Sequence, residues 1–374
     1  MNRTFRIGLL IGVSALASLR SAPAWACGGG GVASRLGVTT NAQRVFMSVR
    51  ASGRTEIVAQ ITVPQTTADY GVLIPVPDQP TLDSEPVSAA DMNMLDTLTT
   101  PVISSQTHSG GSGCGCMGAG AAVDGKGGPS KRGVTASDQV MIGPVVAVSL
   151  TGDSGEAVRA WLADNGFSLP ESDATTLDRY VGAGKYFIAI RRGERAVSGG
   201  PTSIGIHYSM AGDHRMLSLG FTRIGAAPQL AITLFLAAPQ TIGPSDPFKA
   251  LTLDELDATT LRLDDYSLAV ETAVAARDSK AFVLESATPS STIASSIPSL
   301  SHFIDGNATI TRATTVVSRE RISDDVVFGT PFAGAVPSQR RVSLEAEHVR
   351  YAGMGSLALL LMAGALRRRS RSRN

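Results

Sequence analysis

The chain has few of the residues that usually advertise chemistry. It holds three cysteines and five histidines in 374 residues, aromatic side chains make up 5% of it, and charged ones 17%. The histidines stand apart at 108, 207, 214, 302 and 348. No HExxH, no paired HxH and no EF-hand spacing therefore presents a metal-ligand set. No internal repeat recurs at solenoid spacing. Positive charge is also missing from the body. The two ends carry eight arginines and no acid, three in residues 1–26 and five in 367–374, and the remaining 25 basic residues face 32 acidic ones. A body near −7 excludes nucleic acid as the expected partner.

Strings that mimic catalytic motifs lack their partners. Gly152-Asp153-Ser154-Gly155 resembles the nucleophile segment of trypsin-like proteases, yet no Ala-Ala-His-Cys context precedes it to supply a base. The same residues suit a helix start, with Asp153 or Ser154 as N-cap and Asp153-x-x-Glu156 as a capping box. Gly182-Ala183-Gly184-Lys185 has neither the spacing nor the trailing Ser/Thr of a phosphate-binding loop. Asp264-Asp265 and Asp324-Asp325 read as solvated loop acids.

What is present concerns address. Arg3 and Arg6 precede an apolar stretch, Ile7 to Leu19, and Ala24-Trp25-Ala26 supplies an A-x-A cleavage site, the layout of a signal peptide over residues 1–26. Cys27 would follow the cut. Ala24 and Trp25 stand where a lipobox prefers Leu and a small residue, so export without lipidation is the expectation. At the other end, Tyr351 to Leu366 is 16 residues without a charge. As a helix it would span about 24 Å against a hydrocarbon core of roughly 30 Å. Snorkelling of the following arginines, or local thinning, covers the difference. The arginine cluster at 367–374 stays cytoplasmic by the positive-inside rule, with the body outside.

Between these ends the reading is α+β and β-rich, with mostly antiparallel sheets and a few short helices. The segments are an N-terminal β-rich part (27–107), a glycine-rich cysteine-containing loop (108–133), an α+β part of the same domain (134–340), a juxtamembrane stretch (341–350), a transmembrane or sorting helix (351–366) and the tail (367–374). TEIVAQITV alternates, with Ile57, Ala59, Ile61 and Val63 on one face and Glu56, Gln60 and Thr62 on the other. YGVLIPVP repeats the period, and its prolines suggest an edge or a strand end. MIGPVVAVSL reads as one strand. Helices are expected at Ala89–Leu98, from Ser154 to a stop at Asn165-Gly166 with Val158, Trp161 and Leu162 on one face, at Ser172–Val181, and over 265–279. His207 falls out of phase with the apolar residues of SIGIHYSM and is expected on the solvent side. The Ser/Thr clusters of 287–296 read as loop.

The stretch His108-Ser-Gly-Gly-Ser-Gly-Cys114-Gly-Cys116 is the one concentration of metal- or thiol-type side chains. An oxidising compartment favours disulfides. Cys114 and Cys116 are too close in sequence for an unstrained bridge to each other, and Cys27 could pair with either, leaving one odd thiol. A structural staple is the expectation and no cofactor is required. Zinc or copper on His108, Cys114 and Cys116, or thiol exchange, stays open as an alternative.

The string WLADNGFSLPESDATTLDRYVGAGKYFIAI, with ITVPQTTADYGVLIPVPDQP before it and AFVLESA and ITRATTVVSRERISDDVVFG after it, resembles a family of exported bacterial proteins, the domain-of-unknown-function family numbered 2330. The likeness runs from about Cys27 to about Pro337. Its most specific residues are Trp161, Asn165, Gly166, Pro170 and Tyr180. Members open with Cys-Gly-Gly and a second cysteine; Cys27-Gly28-Gly29 matches and the second cysteine is absent. The C-terminal layout resembles a surface sorting tail of the myxobacterial type, without its usual cysteine. The resemblance implies export and architecture, with no reaction attached. The expected role is a cell-envelope-anchored, non-enzymatic binding or structural module, with the membrane as one partner and other envelope proteins as further ones. The alternative is an envelope metalloprotein or thiol enzyme.

Overall fold

In the computed structural model, residues 31–33, 40–63, 71–105, 133–167, 169–193, 202–256, 266–337 and 341–344 are described. The expected signal peptide, glycine-rich loop and C-terminal helix lie outside them. Among the described residues, no helix is long and apolar enough to cross a membrane.

The chain runs β1 (Gly31–Ala33), β2 (Thr40–Val49), β3 (Arg54–Val63), β4 (Gly71–Val76), β5 (Thr81–Leu82), α1 (Ala89–Thr99) and β6 (Val102–Ser105). There follow β7 (Val134–Ala136), β8 (Val140–Ile142), β9 (Val145–Gly152), α2 (Gly155–Asp164), α3 (Ala174–Gly182), β10 (Tyr186–Arg192) and β11 (Thr202–Ala211). The last part holds β12 (Met216–Leu217), α4 (Leu219–Thr222), β13 (Ala226–Ala238), β14 (Ile242–Pro244), β15 (Lys249–Thr252) and α5 (Tyr266–Ala275). It closes with β16 (Ala281–Pro289), α6 (Ser290–Ile293), α7 (Pro298–Ser301), β17 (Thr309–Ser318), β18 (Val326–Pro331) and β19 (Arg341–Leu344).

Two sheets carry the fold. One has the order β1-β4-β10-β9-β7, with β8 also on β9, and all its pairings are antiparallel. The other has the order β15-β16-β17-β13-β2-β3-β11-β5, parallel only at β13·β2 and β15·β16. The expected β-rich, mostly antiparallel class is what forms. Apolar residues from the facing sides pack between the sheets, among them Ile57, Ala59 and Ile61 from β3, Ile206 and Tyr208 from β11, and Val72, Ile74, Ile188 and Ile190 from β4 and β10. The outer face of the smaller sheet, with Leu73, Val148, Leu150 and Phe187, is covered by α2 and α3. The outer face of the larger sheet, with Phe46, Val58 and Phe235, is covered by α1, α6 and α7. The result is four layers: helices, sheet, sheet, helices.

That layering corrects several expectations. The face of β3 opposite Ile57, Ala59 and Ile61 is covered too, so Gln60 and Thr62 are buried along with Val58. MIGPVVAVSL is a hairpin, since Gly143 adopts φ 54 and turns Ile142 back against Val145. Pro75 sits past the last residue that β1 pairs on β4, Leu73. Its carbonyl accepts from Ser218 Oγ at 3.2 Å, so its nitrogen also faces away from β10, as a proline in a sheet must. The run 287–296 is no loop. β16 continues to Pro289, and α6 follows, with Thr292 Oγ1 donating to the Pro289 carbonyl at 2.7 Å and Ile293 buried.

Candidate functional site

Trp161, Asn165, Gly166, Pro170 and Tyr180 lie on or between the two helices α2 and α3. Ser154 is extended, and its Oγ accepts from Ala157 N at 3.2 Å. The GDSG serine is thus a helix cap, and the cap is Ser154 itself rather than an Asp153–Glu156 box, because only Ser154's backbone turns the hydroxyl onto the first turn. Val158, Trp161 and Leu162 are buried as expected. At the far end Gly166 adopts φ 84, Phe167 N donates to the Leu162 carbonyl at 2.9 Å, and Gly166 N to that of Ala163 at 3.3 Å. This is a Schellman stop, and Phe167 completes it by stacking on Trp161 at 6.4 Å between centroids. Pro170 then starts a short 3-10 turn by accepting from Asp173 N at 2.9 Å.

The segment Gly182-Ala183-Gly184-Lys185 repeats that stop at the end of α3. Gly184 has φ 69, Lys185 N donates to the Tyr180 carbonyl at 3.2 Å and Gly184 N to that of Val181 at 2.9 Å. The turn brings Lys185 beside Tyr180. The Tyr180 ring is buried edge-on against Phe221, 5.0 Å between centroids, and its hydroxyl donates to Asp325 Oδ1. Gly220 N donates to the same oxygen at 3.1 Å. Burial pushes the Tyr180 phenol well above its usual range, and Asp325 adds to the shift, so this phenol is a donor and not a base. Gly220 is required here: a Cβ on it would meet Arg179 Nη2 at 2.7 Å and both Ser323 O and Tyr180 Oη at 3.0 Å.

These groups floor a cleft of about 230 Å³ lined by Arg179, Tyr180, Ala183, Lys185, Ser323, Asp324 and Asp325. Arg179 lies over the Tyr180 ring at 5.2 Å and donates to the Ser323 carbonyl at 3.3 Å. Asp324 pairs with Lys280 at 2.7 Å; that bond first, and one from Ser323, hold its carboxyl below the usual range. The expectation of solvated acids at 324 and 325 is therefore corrected: Asp324 is half-exposed but paired, and Asp325 fastens α3 to the strand that follows. A second cavity, about 180 Å³ beside α5, has Glu255 and Arg277 as its ionisable lining, and these pair with each other at 3.8 Å.

Two further polar clusters were not legible as sites. Glu285 is fully buried at a bulge where β16 skips from Leu284 to Ser286 against β17, the kind of irregularity that re-aims a side chain. It accepts from Arg312 and Tyr266. Arg312 also bonds Asp96 of α1, which Arg44 meets at 2.9 Å. Burial works against the Arg312 charge, and Glu285 and Asp96 outweigh it. His207, expected on the solvent side, is buried. Its Nε2 faces Glu56 at 2.9 Å, its Nδ1 faces Asp83 at 3.0 Å, and its ring stacks on Phe303 at 4.0 Å between centroids. The ring is out of phase with the inter-sheet core because it belongs to the opposite, helix-covered face.

Cys27, His108, Cys114 and Cys116 lie outside the described residues. Among the described residues, no group of three or more His, Cys, Asp or Glu side chains is arranged to hold a metal ion.

A family model described as an uncharacterized protein conserved in bacteria (DUF2330) matches residues 22–298. It takes in the α2–α3 hairpin and stops before the strings of β17 and β18, short of the 337 read from the sequence. No curated protein and no solved structure matches.

Proposed function

We propose that this chain, which belongs to the uncharacterized bacterial family DUF2330, is an exported binding or structural module held to the cell envelope by its C-terminal apolar segment. The observation carrying the reading is the pairing of the strand that precedes the apolar segment. β19, Arg341–Leu344, runs parallel to β6, Val102–Ser105, along a four-residue register. β6 follows directly on α1, and α1 is tied to the larger sheet by Asp96 to Arg44 and Arg312. It is tied to α7 by Asp91, which accepts from Ser299 N at 2.6 Å. A backbone ladder followed by partly buried ion pairs thus joins the strand that leads to residues 351–366 to the centre of the body, as a tethered module needs. The apolar stretch, the arginines after it and the N-terminal A-x-A layout support the same address. The acidic body favours envelope proteins or small molecules over nucleic acid as partners.

The test is protease treatment of intact bacterial spheroplasts expressing the full chain, beside a chain lacking 351–374. The full-length body should be digested from outside while remaining with the membrane fraction, and the truncated body should leave that fraction. A body protected until lysis, or one that still sediments with membranes without 351–374, would overturn the reading.

A further inference from the structure

The cleft at the end of α3 has an amphoteric lining, and its charges are only partly consumed by the protein. Lys185 is half-buried, and the contact its ammonium makes is with Met216 Sδ at 3.9 Å, a weak acceptor. Arg179 gives one nitrogen to the Ser323 carbonyl, lies over the Tyr180 ring and helps to hold the Asp324 carboxyl low. Of the acids lining the same cleft, the bonds to Asp325 fall on Oδ1 and those to Asp324 on Oδ2, so each carboxylate keeps its second oxygen. Two cations with donors to spare and two carboxylates with acceptors to spare therefore line one space of about 230 Å³. Ala183 and the Tyr180 ring give the apolar part of the lining.

We infer that this cleft binds a small zwitterion bearing a carboxylate and an ammonium, an amino acid or the like. Arg179 and Lys185 take the carboxylate, and Asp324 and Asp325 take the ammonium. A simple anion would meet the two cations but would also bring its charge against the two carboxylates, and a simple cation would suffer the converse. Only a ligand carrying both signs uses the whole lining. Gly220 and the Tyr180–Asp325 bond fix Asp325 in the lining of the cleft. The inference is independent of the tether: it concerns the body alone and stands or falls whichever compartment the chain occupies.

The experiment is calorimetric titration of the full-length chain, purified in detergent, with three probes of one shape. These are L-leucine, 4-methylpentanoate (carboxylate only) and isoamylamine (ammonium only), with inorganic phosphate as a fourth. Leucine should bind saturably, and each single-charge probe at least about tenfold more weakly. Lys185→Met should weaken leucine by at least about tenfold without moving the unfolding midpoint. Asp324→Asn should weaken leucine and strengthen 4-methylpentanoate, which loses a like charge beside it. No saturable leucine binding up to about 10 mM would overturn the inference. So would equal affinity for 4-methylpentanoate, tighter binding of phosphate, or a Lys185→Met chain that binds leucine as before.

Discussion

The two helical layers are fastened to their sheets by different means. Over the larger sheet, the charges of α1 and the strands beneath it meet one another: Asp96 takes Arg44 and Arg312, and Glu285 takes Arg312 and the Tyr266 hydroxyl. Over the smaller sheet, α2 and α3 are held by Trp161, Phe167, Tyr180 and Phe221, and a single phenol–carboxylate bond fixes α3 to Asp325. Arg179 and Lys185 are then left facing a cleft. The first layer is a seam and the second a platform. A group satisfied inside the protein has little left to offer a ligand, whereas a helix fixed by aromatic packing can present its charged side chains outward.

The seam is where a single change should do the most damage. Arg312→Leu strands Glu285, fully buried, without its counter-charge, and should cost about 3–5 kcal/mol in urea unfolding. Because a buried pair is weak evidence of net stability, the double change Arg312→Leu with Glu285→Leu should recover most of that loss. A single variant within about 1 kcal/mol of wild type would mean that the seam's charges are solvated and that the contrast between the layers is false. On the platform, Tyr180→Phe keeps the ring and removes one donor from Asp325. Gly220 N still serves that oxygen at 3.1 Å, so the expected loss is about 1–2 kcal/mol, smaller than at the seam. A larger loss than that of Arg312→Leu would reverse the ranking.

The stops of the helices differ as well. α1 ends at Thr100 with extended backbone, its N–H and hydroxyl both on the Asp96 carbonyl, just before Pro101. α2 ends through Gly166 at φ 84, where an added Cβ meets nothing within 4 Å. Gly166→Ala should therefore cost about 1–2 kcal/mol through backbone conformation alone, read by thermal unfolding. Gly166→Asn should cost less, since Asn tolerates that region. Equal costs for the two would point to a steric cause that the open space denies.

How much of this was legible depended on distance along the chain. The α2 residues were readable because cap, apolar face and glycine stop all lie within one helix length: Ser154, Trp161, Asn165 and Gly166 each took the part their spacing assigned. The inward residues of β11 were readable for the same local reason. His207 was misread because alternation assigns a face and says nothing of what covers it; Phe303 and Asp83 come from distant segments. Asp325 looked like one of two loop acids because its partner Tyr180 lies 145 residues away. Arg312 and Glu285 did leave a signal. Each interrupts an apolar strand, ITRATTVV and AFVLESA, and two such interruptions of opposite sign invite pairing. What the sequence could not supply was their register, set by the bulge in β16.

The smallest expected effect separates two acids within the platform itself. Asp173 is buried, and burial raises its carboxyl above the usual value against the opposing pull of Arg319, 3.7 Å away, and Arg223. Asp324 is held low by Lys280 and Ser323. A raised carboxyl binds its proton more tightly in the folded state, so folding loses stability as pH rises from the unfolded value near 3.9 through the native one. Asp173→Asn removes that titration. Whatever constant offset the amide introduces, the stability of Asp173→Asn relative to wild type should improve as pH goes from acid to neutral. Asp324 has the reverse sign: its contribution is complete above the unfolded value and is lost as pH falls through the lowered native one. Asp324→Asn should therefore fall further behind wild type over the same rise in pH, by a small amount because the side chain is half-exposed. Unfolding midpoints of the two variants measured from acid to neutral pH should diverge in opposite directions. Parallel curves would mean that the two carboxylates share one environment, and the platform would have no distinct buried floor beneath its open wall.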